Sequence, residues 1–456
     1  METISKTIAP KTRTIVTILL LFSCFVSLTS QTMMITALPV IQHQMNVKMT
    51  LAQWLTTGYT LMIGIVTPLS SNLYEKFQKR SIFLTTIGIF VIGTAIGCFA
   101  SNFWFLLFAR LIQACAGGIL MSFQMTTMIS IYPLKKRGSV LGMSALVVAF
   151  GPAIGPTLSG WIVNTFGWRY VFILVLPLMI LVWIIGFIFF PNFSKPKDIK
   201  IDVISVLLSL FGSALTLASL TIFQTSLVEG LIMLVIGLFI LTVFARRQLR
   251  LKQPMLKIQL IKNRSFRLMT LVGIFAFMVL LGTEQMLPIF TQNVLHLNSM
   301  VSGMILLPGA VANALCAAVV GRLYDKHGPK YLIISGAVLM LIASIPFVMI
   351  SNSTPVWLLT AAYTLRMIGN ALVFSPAMSE AFTDVRADEI SHATALNGSL
   401  RQAAGATSVT FLVVLSEIPA NFITGMRISM LTTVLLVFLM IFCFATYLVK
   451  GSRKEA

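Results

Sequence analysis

With 57% hydrophobic and only 10% charged side chains over 456 residues, the chain has a mean hydropathy of +0.94, far above what a water-soluble surface tolerates. A soluble enzyme domain and a disordered tail are excluded, and so is an outer-membrane barrel, whose strands alternate apolar and polar residues where these runs are apolar throughout. The 33 basic and 13 acidic residues leave a formal charge of +20; the basic groups sit in short loops between apolar runs, which points to membrane topology and not to a nucleic-acid partner.

Taken in chain order, Lys6, Lys11 and Arg13 precede a first apolar run too long for the core of a signal peptide, which reads as an uncleaved span. Runs of bilayer-crossing length predict helices near 15–39, 50–72, 81–100, 103–131, 139–163 and 170–191. Two more follow near 203–222 and 228–245. A basic stretch from Arg246 to Arg267 then introduces six others, near 268–291, 299–320, 331–350, 356–379, 392–415 and 427–449. The expected fold is therefore all-α and integral to the membrane, with fourteen spans. Loop charge supports the count: clusters at Lys76, Lys79 and Arg80, at Lys135 to Arg137, at Lys195 to Lys200, at Arg246 to Arg267, at Arg322 to Lys330 and at Lys450 to Lys454 all fall on the side of the N-terminus. By the positive-inside rule both termini are expected in the cytoplasm.

The chain also echoes itself. "SNLYEKFQKR" at 71–80 matches "GRLYDKHGPK" at 321–330, "ARLIQACAGG" at 109–118 matches "LRMIGNALVF" at 365–374 through Arg110 and Arg366, and "ALPVIQ" at 37–42 matches "MLPIFTQ" at 286–292. The offset exceeds what six spans need by about the length of two helices. The expected organisation is a six-helix bundle over 1–200, two additional helices over 201–250 and a second six-helix bundle over 251–456.

Two similar bundles around a central site are the expected form of an alternating-access transporter. Here the residues resemble the major facilitator superfamily and, within it, the fourteen-span drug:proton antiporters of the multidrug-efflux, lincomycin-resistance type. "GPAIGPTLSG" at 151–160 looks like the antiporter signature of the fifth span, "RLIQACAGG" like the fourth-span arginine motif, and "GRLYDKHG" like the cytoplasmic gate motif. In the first, Gly151, Gly155 and Gly160 form a small-residue face for close helix approach, while Pro152 and Pro156 remove backbone donors and bend the span. In the second-half gate, Gly321 and Gly328 are expected to allow a tight turn and Asp325 to cap a helix or pair with Arg322 or Lys326. The matching first-half loop carries Ser71, Glu75 and Gln78, so its latch, with Glu75 and Arg80, is degenerate; solvated loop charge is the alternative for both.

Embedded charges carry the most information, because an ionised group at the bilayer centre costs about 2.5–3.5 kcal/mol on insertion scales. Of the acids only Glu284 lies well inside a predicted span. The resembled family places an acid in its first span seven positions before Ala-Leu-Pro, where this chain has Ser30. That shifts the expected proton-coupling role to Glu284, with Arg110 as the motif arginine in a structural or relay role; a structural ion pair or an outward cavity wall is the alternative for Glu284. Arg366 and Arg401 are also embedded and must find carbonyls, water, an acid or an anionic cargo. Gln31, Tyr59, Gln285, Arg366, Asn397 and Arg401 are the candidate cavity residues, although tyrosine in a span also serves as an interface anchor.

No metal-ligand spacing, disulfide framework, phosphate-cradling loop or catalytic cluster appears, so neither a metal, a cofactor nor an enzymatic role is expected. The expected function is export of amphipathic drugs or toxic compounds in exchange for protons by a monomer in a bacterial plasma membrane, with protons, small amphipathic molecules and the lipid bilayer as partners. The alternative cargo is an anionic lipid or bile-acid-like compound, because embedded positive charge outnumbers the single embedded acid.

Overall fold

A chain in hydrocarbon must satisfy its backbone groups within each segment. The computed structural model describes residues 10–132, 134–192, 202–223, 226–251, 254, 256–386 and 389–451, and these contain helices without a strand among them. The first six long helices are α1 (Pro10–Met45), α2 (Trp54–Lys76), α3 (Lys79–Cys98), α4 (Phe103–Ile131), α5 (Leu134–Thr165) and α6 (Arg169–Phe189). Then come α7 (Val203–Ile222) and α8 (Leu227–Arg250). The last six are α9 (Arg264–Asn293), the Ser299–Val348 rod that divides into α10 (299–327) and α11 (329–348), α12 (Val356–Thr383), α13 (Ile390–Glu417) and α14 (Phe422–Gly451).

Among the described residues, eleven helices are long and apolar enough to cross a membrane. The long helices α2 and α13 fall outside that group; each packs against other helices over much of its length, so Thr, Ser, Gly and Gln stand where a lipid-facing helix carries Leu. Many side chains of α5 lie outside the described residues. The opposite case is α8, whose Leu231, Val235 and Phe239 are exposed in an apolar stripe fit for lipid.

One expectation at the gate motif is overturned. Gly321 is not in a turn: the helix continues through it, and Gly328 is the one residue of Ser299–Val348 with non-helical dihedrals, at φ 67° and ψ −175°. Only a residue without Cβ adopts that φ without strain, and Pro329 at once restarts the helix.

Helix directions alternate, so the start of α1 and the end of α14 share one face, called here the near face. Trp168 at the start of α6 donates to Gln44 at the end of α1 on the opposite, far face (2.9 Å), and the Thr17 and Tyr132 hydroxyls bond near the near face (2.9 Å).

The closest seam is α1 on α5. Thr29, Thr32 and Thr36 share one face of α1 by their spacing of three and four. Their hydroxyls donate to the carbonyls of Gly151 (3.1 Å), Pro152 (3.2 Å) and Pro156 (3.2 Å). The middle bond has a specific cause: Pro156 lacks the N–H that would bond the carbonyl four residues earlier, that of Pro152, and Thr32 supplies the missing donor. Gly151 and Gly155 permit the approach, since a methyl on Gly155 would overlap the Thr32 hydroxyl. Thr32→Val is expected to lower stability by about 1–3 kcal/mol by stranding a buried carbonyl. Thermal unfolding of the purified protein checks this against Thr242→Val, whose hydroxyl bonds only its own exposed helix.

Among the described residues the first six helices meet the last six chiefly at three seams. In the far half, α5 lies against α10: Gly160 faces the Ser299 backbone, Gly303 faces the Pro156 carbonyl, and Thr157 donates to the Gly303 carbonyl (3.0 Å). Beside it Gln292 of α9 donates to the Thr36 carbonyl of α1 (3.0 Å). At mid-height α2 lies against α13, where Gly64 faces the Gln402 side chain and the Ser399 carbonyl.

The hairpin of α7 and α8 flanks that third seam, with Leu217 in one apolar cluster with Leu61 and Ile65 of α2 and Ala406 of α13. Its open end is clasped by Asp202, which accepts two bonds of 2.9 Å from the Arg247 guanidinium and one from the Ser205 hydroxyl (2.6 Å). The Arg247 hydrogen bond, and secondarily Ser205, hold the Asp202 carboxyl below the usual aspartate value of 3.8. A group depressed in this way contributes its stability in full above the ordinary value and loses it as pH falls through the lower, folded one. Asp202→Asn should therefore speed amide hydrogen exchange at both ends of the clasp near neutral pH, and the difference from the parent protein should vanish on strong acidification.

Candidate functional site

The helix seams leave a central cavity of about 330 Å³, within the size range of small-molecule sites. Its wall is mostly apolar, with Leu28, Met121, Leu280, Leu281 and Met367 among the lining residues. It extends from Gln31 and Glu284, on the far side of mid-height, to Ala317 and Ser375 in the near half. The cross-contacts through Thr36, Gly160 and Gly303 close the structure on the far side of that cavity.

Glu284 reaches the cavity from α9, 7% exposed. Pro288, four residues on, removes the N–H that would bond the Glu284 carbonyl and bends the helix there. Among the described residues no hydrogen bond or ion pair engages the Glu284 carboxylate. Tyr363 of α12, another lining residue, lies within electrostatic range of it. A carboxyl in this setting can carry a proton or attract a cation, and it is not committed to a structural ion pair.

A smaller space of about 20 Å³ adjoins on the far side, between Gln31, Thr32, Thr56, Thr57, Thr60, Leu281 and Gln285. It is large enough for a single water, and the Gln285 amide nitrogen facing this region is buried without a protein partner. Gln31 and Thr32 belong to both spaces.

The three embedded arginines have different surroundings. Arg110 is fully buried and donates to the carbonyls of Leu55 (3.3 Å), Ser30 (3.1 Å) and Gln31 (3.2 Å) and to Gln113 Oε1 (3.0 Å), with its guanidinium 4.1 Å from the Tyr59 ring centroid. It ties α4 to α1 and α2 without an acid. Arg366 is equally buried and donates to the Thr433 hydroxyl, close to the Phe347 ring. Arg401 lines the cavity beside the neighbouring rings of Phe277 and Phe374, 5.0 Å from each centroid.

Three expected cavity residues therefore stand elsewhere. Tyr59 is the fully buried platform beneath Arg110. Arg366 faces α14 and α11 and is absent from the lining, and Asn397 spends its amide on the Thr270 hydroxyl of α9 (3.0 Å). For Tyr59 and Asn397 burial obliges the polar group to find a protein partner, and the partner draws it off the cavity wall. Arg366 is turned the same way by Thr433, although its Nε and Nη1 are buried without a hydrogen-bond partner among the described residues. Gln31, Gln285 and Arg401 do line the two spaces. Reasoning from single residues passed over Phe277, Phe374, Tyr363 and Asn313, whose types are ordinary in a span.

The gate residues divide similarly. Arg80 binds the Phe187 carbonyl at the end of α6, and its backbone N–H bonds Asn192 (3.2 Å), so it clamps neighbours within the first six helices and does not bridge to the last six. The side chains of Glu75, Arg322 and Asp325 lie outside the described residues. An acid not singled out as a site residue, Glu380, accepts from the hydroxyls of Tyr324 (2.6 Å) and Tyr447 and joins α10, α12 and α14. Among the described residues no group of His, Cys, Asp and Glu could hold a metal.

The sequence profile described as Major Facilitator Superfamily matches residues 20–409. The MFS-type transporter YcnB of Bacillus subtilis (strain 168) is 38% identical, over 89% of this chain and 86% of its own. The lincomycin resistance protein LmrB of the same organism is 32% identical, over 86% of this chain and 83% of its own. Among solved structures, a POT family transporter crystallised with a thioalcohol-conjugated peptide superposes with a TM-score of 0.72 over 96% of this chain and 97% of that one, at 15% identity. This last likeness is one of fold.

Proposed function

This chain belongs to the Major Facilitator Superfamily, and from that premise we propose that it is a secondary active exporter of amphipathic compounds driven by inward proton flow. It is a multi-pass membrane transport protein and not an enzyme. The observation that carries the proposal is the unpaired Glu284 carboxyl on the wall of the cavity between the two sets of six helices.

In this reading all fourteen long helices cross a bacterial plasma membrane with both termini in the cytoplasm. Residues 1–200 and 251–456 form the two moving bundles of a monomer, and 201–250 brace the seam between α2 and α13. The far face is then extracellular, and the structure corresponds to the state that receives cargo from inside.

Coupling follows from burial. Ionised Glu284 raises the energy of any state that shuts it away from water, by an amount on the order of 2.5–3.5 kcal/mol, and either a proton or a cationic group of the cargo removes that cost. Cargo and proton thereby exclude one another at one carboxyl, which makes their movements opposite. The small chamber at Gln31 and Gln285, with room for one water, lies on the side from which the proton arrives once the far side opens. Arg110, bound to three backbone carbonyls, holds α1, α2 and α4 together and takes no proton.

The test is transport in reconstituted vesicles with an imposed pH gradient. Dye movement should follow the gradient and stop when a protonophore collapses it; movement that persists undiminished without a gradient rules out the coupling. A second reading, export of an anionic lipid or bile-acid-like compound, has the acid-free Arg401 in its favour, and a panel of cationic and anionic dyes separates the two.

A further inference from the structure

Of the three embedded arginines, Arg401 alone lines the cavity. Its guanidinium rests beside two neighbouring rings, Phe277 of α9 and Phe374 of α12, whose centroids are 6.4 Å apart. Its Nε is buried without a partner, and among the described residues no carboxylate pairs with it. A guanidinium is a fixed fork of N–H donors that matches a carboxylate through parallel hydrogen bonds.

The position of this fork relative to the acid follows from helix geometry. Phe277 and Glu284 are seven residues apart on α9, two turns on the same face, so the guanidinium level and the carboxyl level are separated by about 10 Å along the cavity. Leu280 and Leu281 line the interval from the same helix, and Met367 from α12. The cavity is thus a dipolar slot, with a cation near mid-height, an acid about two turns farther toward the far face, and hydrocarbon between.

We infer that the cargo is an amphipathic zwitterion whose amine end lies at Glu284 and whose carboxylate end pairs with Arg401. This deepens the export reading and rests on it. A purely cationic cargo would leave Arg401 buried and unpaired. A purely anionic one would be repelled by ionised Glu284, would bind together with the proton, and so would not exchange for it. A zwitterion satisfies both groups and keeps the exchange.

The test uses three related dyes on the purified full-length protein in nanodiscs: rhodamine 19, which carries a free carboxylate and a cationic ring system, its ethyl ester rhodamine 6G, which is only cationic, and anionic fluorescein. Wild-type protein should bind rhodamine 19 most tightly. Arg401→Gln should weaken rhodamine 19 by about tenfold or more, as loss of a charge-assisted bidentate pair implies, and leave rhodamine 6G within about threefold. Retained binding of the ester shows that the variant is folded. Arg401→Lys, which keeps charge and stem but not the planar fork, should give an intermediate loss for rhodamine 19 only. Equal losses for both rhodamines, or a wild-type preference for the ester or for fluorescein, overturn the inference while the export reading stands. Failure of wild-type protein to bind any of the three and to release protons on dye addition overturns both.

Discussion

Glu284→Gln is expected to yield a folded protein that binds cargo yet releases no proton on binding and concentrates nothing against a gradient. Glutamine keeps the volume and polarity of the side chain while removing its ability to ionise, so the cavity wall is preserved. What disappears is the term of about 2.5–3.5 kcal/mol that makes one closure depend on protonation, equivalent to a bias of roughly a hundredfold between states. Proton release measured in weakly buffered solution should fall to none, and proton-driven accumulation in vesicles to the passive level. Facilitated equilibration of cargo should survive, because the helices still rock. Cargo affinity should also lose its pH dependence, which distinguishes a coupling group from a residue that only packs. A Glu284→Gln protein that still releases protons and accumulates cargo would remove the acid from the mechanism.

The second large effect is expected at Gly160. A methyl placed there collides with the Ser299 carbonyl of α10, a backbone atom that no rotamer change can move. This contact joins α5 to the other set of helices and exists only while the far side is closed. Overpacking of about 1–3 kcal/mol then acts on one conformation and not the other, a population shift of roughly 5- to 150-fold toward the far-open state. Gly160→Ala should therefore lose most transport without losing the fold. A reporter cysteine at Gln292, half-buried beneath the same closure, should react faster with a membrane-impermeant maleimide in the Gly160→Ala protein than in the parent, both made in a background free of the five native cysteines. Unchanged labelling with lost transport would mean that the glycine serves chemistry elsewhere. Gly151 and Gly155, which meet α1 inside the first six helices, should behave differently and cost stability first.

How far the site could be read in advance depended on the kind of residue. Glu284 stood out because ionisable groups are so costly in hydrocarbon that a single embedded acid is conspicuous by its rarity. Arg110, Arg366 and Arg401 stood out for the same reason, but rarity says nothing of direction. Arg110 turned to carbonyls of α1 and α2, Arg366 to Thr433, and only Arg401 to the cavity. Tyr59 and Asn397 were misplaced because a buried polar group goes wherever a partner waits, and the partners, Arg110 and Thr270, are 51 and 127 positions away. The contact of Arg401 with Phe277 and Phe374 draws on three helices and leaves no local pattern.

Helix positions are local information. A lipid-facing segment must be apolar along its own length, so the run at 203–222 was recognisable and the helix spans Val203–Ile222. The repeat of Ala-Leu-Pro and Met-Leu-Pro, and the paired glycines and prolines of 151–160, likewise announced bends and close approaches in place. Which helix fills each approach is not local: Thr32 gives the Pro152 carbonyl, 120 residues away, the donor that Pro156 lacks, and the Ser299 backbone meets Gly160 from the other half of the chain. The amino-acid order by itself determined the class of molecule, its helices and its one embedded acid, because the bilayer acts on each segment separately. Tertiary packing alone decided which polar groups look into the cavity and which face is shut, because those depend on partners brought together only when the helices assemble.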